Sequence, residues 1–316
     1  YLAKIKFNEV VISGEVLDLF NPRITPIKSK DADGVEFDNE MLSYQIQVET
    51  GKDESKVVDI NSRKFNFDGT PSQDYMRKKT LGNDLETRAE NEEGGELVRC
   101  TGSLIGNVYY NKEGELVQGY RIDCQFCNRK SDSKFNIYKT QNWKAYALIK
   151  EIVEMEDSLN GQPYLLVTLA INKWVKKDRT NAAWSIVKAR TYDNIEVFKK
   201  MYKVGDVAFF KGKFSSHMVE ETGAFGECNT RKTESFLEIK GGKPPVQETL
   251  ENGEFSVLDK EICSDEKYPF TKELVEIQEK AYEEELARAK EKWVKKQEEE
   301  VNTSSQMEIT DDDIPF

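Results

Sequence analysis

A chain of 316 residues with 38% apolar and 33% charged side chains and a net charge of -12 has room for two cores, and it contains no run near the roughly 20 apolar residues that span a bilayer. The acidity is local, since residues 241–316 carry 21 acidic and 10 basic side chains and residues 1–240 carry 37 and 36. The total charge therefore excludes no polyanionic partner for the body, and a cytoplasmic location is expected because YLAKIKFNEVVISGE lacks a basic segment leading into a long apolar one.

Five strands are predicted first, over residues 7–20, 41–50, 55–65, 96–110 and 119–127, where β-branched and aromatic residues partly alternate between Gly- and Asn-containing connections. The polar stretch 71–95 predicts a helix or long loop before the fourth of them. A second set follows over residues 142–157, 162–175, 182–192, 205–217 and 232–240. Between its third and fourth members, Ile195, Phe198 and Tyr202 fall at helical spacing and predict a short helix over 194–202.

Two five-strand units, each with an insert before the fourth strand, point to a mainly β protein built from two OB-fold barrels in tandem, over residues 1–140 (insert at about 70–95) and 141–241. One antiparallel sandwich of about ten strands is the alternative. Residues 242–268, opening with GGKPPVQE, read as a linker. Residues 269–300 predict a long charged helix capped at Thr271, with an imperfect stripe of Leu274, Ile277, Ala281, Ala289 and Trp293 that suits either the body or another copy of the chain. Residues 301–316 have no periodicity and are expected to be disordered.

Little in the chain suggests chemistry. The five cysteines are irregularly spaced, Cys124 and Cys127 form a lone CxxC that is only a weak metal candidate, and His217 is the single histidine. There is no Walker loop, HExxH or GxSxG, so no catalytic residue, cofactor or enzyme activity is expected, a nuclease being the residual alternative.

Binding residues are easier to nominate. Alternation in AAWSIVKART puts Trp184, Ile186, Lys188 and Arg190 on one face and Ser185, Val187 and Ala189 on the other. In VAFFKGKF it sets Phe209, Lys211 and Lys213 opposite Ala208, Phe210, Gly212 and Phe214. A closed barrel has one interior, so the cation-bearing faces should point outward. The hairpin between the second and third strands of this unit carries Trp174, Lys176, Lys177 and Arg179, a ring and cations suited to bases and phosphates. In the first unit Arg63, Lys64, Phe65 and Phe67 follow the third strand, and Tyr109 and Tyr110 flank the last hairpin; the same residues could close a barrel or join the units.

Trp184, the downstream YKVGDVAFFKGKF and the sequence DDDIPF together resemble the bacterial-type single-stranded DNA-binding proteins, in a two-barrel, phage-like form. The resemblance implies that Trp184 stacks on bases and that Asp311, Asp312, Asp313, Ile314, Pro315 and Phe316 form a tip that docks on replication and repair proteins. It implies single-stranded DNA as the partner, coated in replication, recombination or repair. A second unit and a charged helix depart from the family's usual one-barrel tetramer, which favours a monomer or dimer. An adaptor that binds protein through its barrels, or an RNA binder, remains the alternative.

Overall fold

In the computed structural model, residues 8–31, 34–52, 54–91, 93–130, 137–157, 160–175, 182–222, 229–245, 248–249, 255–256, 270 and 272–305 are described. The first unit contains β1 (Asn8–Lys30), β2 (Glu36–Gly51), β3 (Glu54–Arg63), α1 (Gln73–Asp84), β4 (Leu97–Tyr110) and β5 (Leu116–Arg129). The second contains β6 (Thr140–Glu156), β7 (Pro163–Val175), β8 (Ala182–Thr191), α2 (Ile195–Met201), β9 (Val207–Thr222) and β10 (Asn229–Gly242). A two-residue ladder, β11 (Glu248–Thr249) with β12 (Phe255–Ser256), precedes α3 (Lys272–Ser305).

The strand pairings form two closed circuits. In the first, β1 pairs β2, β2 pairs β3, β3 pairs β5 in parallel, β5 pairs β4, and β4 returns to β1. The second repeats this as β6–β7–β8–β10–β9–β6, again with one parallel contact, β8 to β10. Period-two alternation explains which side chains fill each circuit: Leu42, Tyr44, Ile46 and Val48 of β2 are buried, while Ser43, Gln45 and Gln47 lie on the other side.

Two glycines occupy matching places in the two circuits. A Cβ on Gly102 of β4 would stand 2.1 Å from the Asp123 carbonyl oxygen on β5, and one on Gly212 of β9 would stand 1.8 Å from that of Glu238 on β10. Each sits against the bulged partner strand, where only hydrogen fits. The duplication, invisible as residue identity, is thus present in register.

The helices close the circuits in equivalent positions. Ser72 caps α1, its Oγ accepting from the Tyr75 amide, and the helix buries Tyr75, Lys78 and Leu81 while the Tyr44 hydroxyl donates to the Lys78 carbonyl at 2.7 Å. In α2, Phe198 buries against Phe210, and Tyr202 lies 5.2 Å from the same ring. The two units are also hydrogen-bonded to each other, because Asn8–Ser13 of β1 pairs with Thr140–Ala145 of β6.

Three segments differ from the sequence expectation. Residues 21–30 and 36–40 extend β1 and β2 into a projecting hairpin, which two prolines and many charges disguise. Pro26 is tolerated because this part of β1 pairs on one side only. Helix α3 begins at Lys272 and continues to Ser305, through residues expected to be disordered; Thr271 and residues 306–316 lie outside the described residues. Its apolar stripe lies back on the body: Leu274 is buried, and Phe270, just before the helix, lies in a second apolar cluster with Leu148, Ala170, Trp184, Ile186 and Val207, against which Val275 and Tyr282 pack.

Candidate nucleic-acid interface

The alternation predicted for β8 holds, but outward does not mean exposed there. Val187 and Ala189 join the interior of the circuit, whereas Trp184 and Ile186 belong to the cluster under α3. Trp184 is 1% exposed. Farther along the same face Lys188 is exposed and Arg190 half-buried, beyond the reach of the helix.

Those two cations enter a cleft of about 620 Å³ between the units. From the first unit come Lys56 of β3 and Tyr120 and Arg121 of β5; from the second come Tyr164, Lys188, Arg190 and Phe236. Four cations and three aromatic rings line this cleft, and among the described residues no carboxylate does. The Arg190 guanidinium is held 5.1 Å from the Tyr164 ring centroid and 4.4 Å from that of Phe236, which orients its plane. Asp157 anchors this cluster from behind, accepting from the Tyr192 hydroxyl at 2.9 Å and lying 4.0 Å from Arg190.

Lys56 forms the floor. It sits on the inward phase of β3 at the end of the first circuit and reaches across to Ser235 Oγ of β10 at 3.5 Å. Burial pushes its ammonium pKa below the usual lysine value, with Glu54 opposing the shift. An anion in the cleft would oppose that shift. Lys188 and Arg121 make no ion pair among the described residues.

A second recess, of about 650 Å³, holds the predicted Lys211 and Lys213 with Arg99, Lys144 and Lys240. Its charge is largely compensated: Glu9 holds Lys144 at 2.8 Å, and Glu238 stands 3.7 Å from Lys213 and 2.6 Å from Lys240. The remaining nominated residues are dispersed. Phe209 packs edge-on to Tyr146 at 5.2 Å, and Tyr110 lies 6.2 Å from Trp293 of α3, with Tyr109 exposed beside it. Arg63 covers Phe67 at 4.9 Å and Lys64 covers Phe65 at 5.6 Å, at the far end of β3, about 25 Å from Lys56 by strand rise. Trp174 pairs with Ala183 through its backbone, but its side chain, like Lys176, Lys177, Arg179 and Asp311 to Phe316, lies outside the described residues.

Sequence reasoning missed Lys56, Arg121, Tyr164 and Phe236. Each looks like an ordinary strand residue; strand pairing within the second unit brings Tyr164 and Phe236 to Arg190, and the contact between units brings Lys56 and Arg121.

The three described cysteines are packing residues in this geometry. Cys100 and Cys124 are buried in the core, with Cys127 Sγ 3.4 Å from Cys100 Sγ. Contacts with Cys124 and Cys127, together with burial, push the Cys100 thiol well above its usual range, which makes it unreactive. Among the described residues no group of three or more His, Cys, Asp or Glu side chains could hold a metal ion, and no helix is long and apolar enough to cross a membrane.

The YorF family model matches residues 21–267. The chain belongs to the YorF family. No curated protein matches this YorF-family sequence. Among solved structures it is similar to the wild-type single-stranded DNA-binding protein from Thermus aquaticus, with 13% identity over 75% of this chain and 92% of that one and a TM-score of 0.42. A deletion mutant of the same protein gives 13% identity, 77% and 97% coverage, and 0.41. The Plasmodium falciparum SSB complex with ssDNA gives 12%, 34% and 96%, and 0.24. Likeness at this level carries no argument about the site, which stands on its own geometry.

Proposed function

We propose that the protein binds single-stranded nucleic acid, DNA by preference, in the cleft between its two units. The observation that carries this reading is a recess that, among the described residues, has four cations, three rings and no carboxylate in its lining, in a protein whose net charge is -12. Asp157 offsets Arg190 from behind, and the other cations gathered there favour an anionic ligand that neutralises them. A recessed Lys56 favours a flexible strand over a rigid duplex, and the cations would take phosphates without reading the bases.

In this reading the two closed circuits are tandem OB-fold barrels, supported by their identical strand order and single parallel contact. The strand is coated and shielded, with no reaction performed on it. Asp311, Asp312, Asp313, Ile314, Pro315 and Phe316 remain the proposed protein-docking tip: carboxylates suit a basic groove and Phe316 an apolar pocket. Deleting Phe316 should abolish binding to a replication protein that the intact chain holds, with DNA affinity retained; equal partner binding by the two chains refutes the tip.

The cleft is tested by titrating labelled oligo(dT) of stepped length at several salt concentrations. Replacing Lys188 and Arg190 by Ala removes two phosphate contacts and should flatten the slope of log K against log[salt] by about 1.4. A folded double variant with wild-type affinity and slope would overturn the assignment. Parallel titrations with oligo(U) and a hairpin duplex measure the preference for DNA and for unpaired strands.

A further inference from the structure

The outer face of β6–β7–β8 carries a second set of groups suited to an unpaired strand, and α3 lies on it. Trp184 is at its centre, with Lys150 Nζ 5.1 Å from the indole centroid and Lys173 on the neighbouring strand. The helix supplies what a polynucleotide would. Glu279 pairs with Lys150, and Glu285 stands 3.8 Å from Lys173, where phosphates would sit. Phe270, Val275 and Tyr282 cover the tryptophan cluster as stacked bases would.

This contact is poorly completed for an interior. Among the described residues four buried side-chain polar atoms have no hydrogen-bond partner. Trp184 Nε1, Gln278 Oε1 and Trp293 Nε1 belong to α3 or the surface beneath it, and Ser185 Oγ is next to Trp184 in the chain. Each such group costs free energy that water would return on opening. The helix also belongs to neither strand circuit, which are complete by Gly242, so its departure breaks no strand pairing.

We propose that this face is a second, occluded single-stranded nucleic-acid site and that α3 is its removable internal occupant. The proposal rests on reading the body as a nucleic-acid binder. In the closed state the strand is confined to the cleft. Once α3 lifts, Lys150, Lys173 and Trp184 continue the track along the same β8 face that presents Lys188 and Arg190, and the footprint lengthens.

The test uses the full chain and oligo(dT) of stepped length, comparing wild type with Leu274→Asp, which puts a charge at a buried apolar position of α3. Release of the helix should lengthen the footprint and tighten binding of long oligonucleotides about tenfold, the worth of one added stacked base. Adding Trp184→Ala to Leu274→Asp should remove that gain. A folded Leu274→Asp chain with wild-type footprint and affinity overturns the proposal. Should Leu274→Asp not fold, amide exchange decides on the wild type: saturating long oligo(dT) should speed exchange within residues 274–288, and unchanged or slower exchange overturns the proposal. If neither chain binds oligo(dT) even at low salt, the nucleic-acid reading itself fails; if wild type binds through Lys188 and Arg190 but α3 plays no part, only the second site fails.

Discussion

Lys56 and Arg190 illustrate how two cations in one cleft are prepared differently. Arg190 keeps its charge at any accessible pH, and its plane is held by Tyr164 and Phe236. Lys56 is disfavoured as a cation by burial, so the folded state binds fewer protons than the unfolded chain between its lowered pKa and the usual lysine value. In that window stability rises with pH, whereas oligonucleotide affinity falls because the cation is lost. The expected result is a decline in oligo(dT) affinity that begins at a lower pH than free lysine titration would give, and Lys56→Met should flatten this part of the profile. An unchanged profile in that variant would show that Lys56 does not meet phosphate. Arg190 was legible from alternation within one strand; Lys56 was not, because its inward phase in β3 is that of a core residue.

At the scale of elements, the glycines of β4 and β9 determine how each circuit closes. Gly212→Ala would drive a Cβ into the Glu238 carbonyl, so β9 and β10 would have to separate or shift. The expected cost is about 1–3 kcal/mol, seen as a lower urea midpoint. Full retention of the wild-type midpoint would mean that the strands relax freely there. Helix α3 is the other informative element. Its composition announced a helix, but Leu274, Ile277, Ala281, Ala289 and Trp293 make too irregular a stripe to say whether it met the body or another copy. Its docking follows from complementary chemistry on both sides: Val275 against the apolar cluster, Glu279 against Lys150, and Tyr282 accepting from Gln118 Nε2 at 2.7 Å across to the first unit.

Across the whole molecule, charge also ties distant segments together. Arg88, from the connection after α1, donates from Nε to Glu15 of β1 at 2.8 Å and from Nη2 to Glu49 of β2 at 3.1 Å, and Lys139 adds a second cation to Glu49. Hydrogen bonding to Arg88 lowers the Glu15 pKa, and that from Lys139, then Arg88, lowers the Glu49 pKa. Their contribution is complete above the ordinary carboxylate range and is lost as the pH falls through their depressed folded values. Urea unfolding followed from neutral to acidic pH should show that loss, and Arg88→Ala should diminish it; identical pH profiles would exclude the network as its source. The amino-acid sequence alone determined the strand content, the repeated five-strand pattern, the phase of β8 and the segregation of acidity toward residues 241–316, since each follows from local periodicity or composition. Only tertiary structure decided that Trp184 is covered and that Lys56 and Arg121 of one unit meet Lys188 and Arg190 of the other. Side-chain alternation specifies which face a residue occupies, but what lies against that face depends on contacts between segments far apart in the chain.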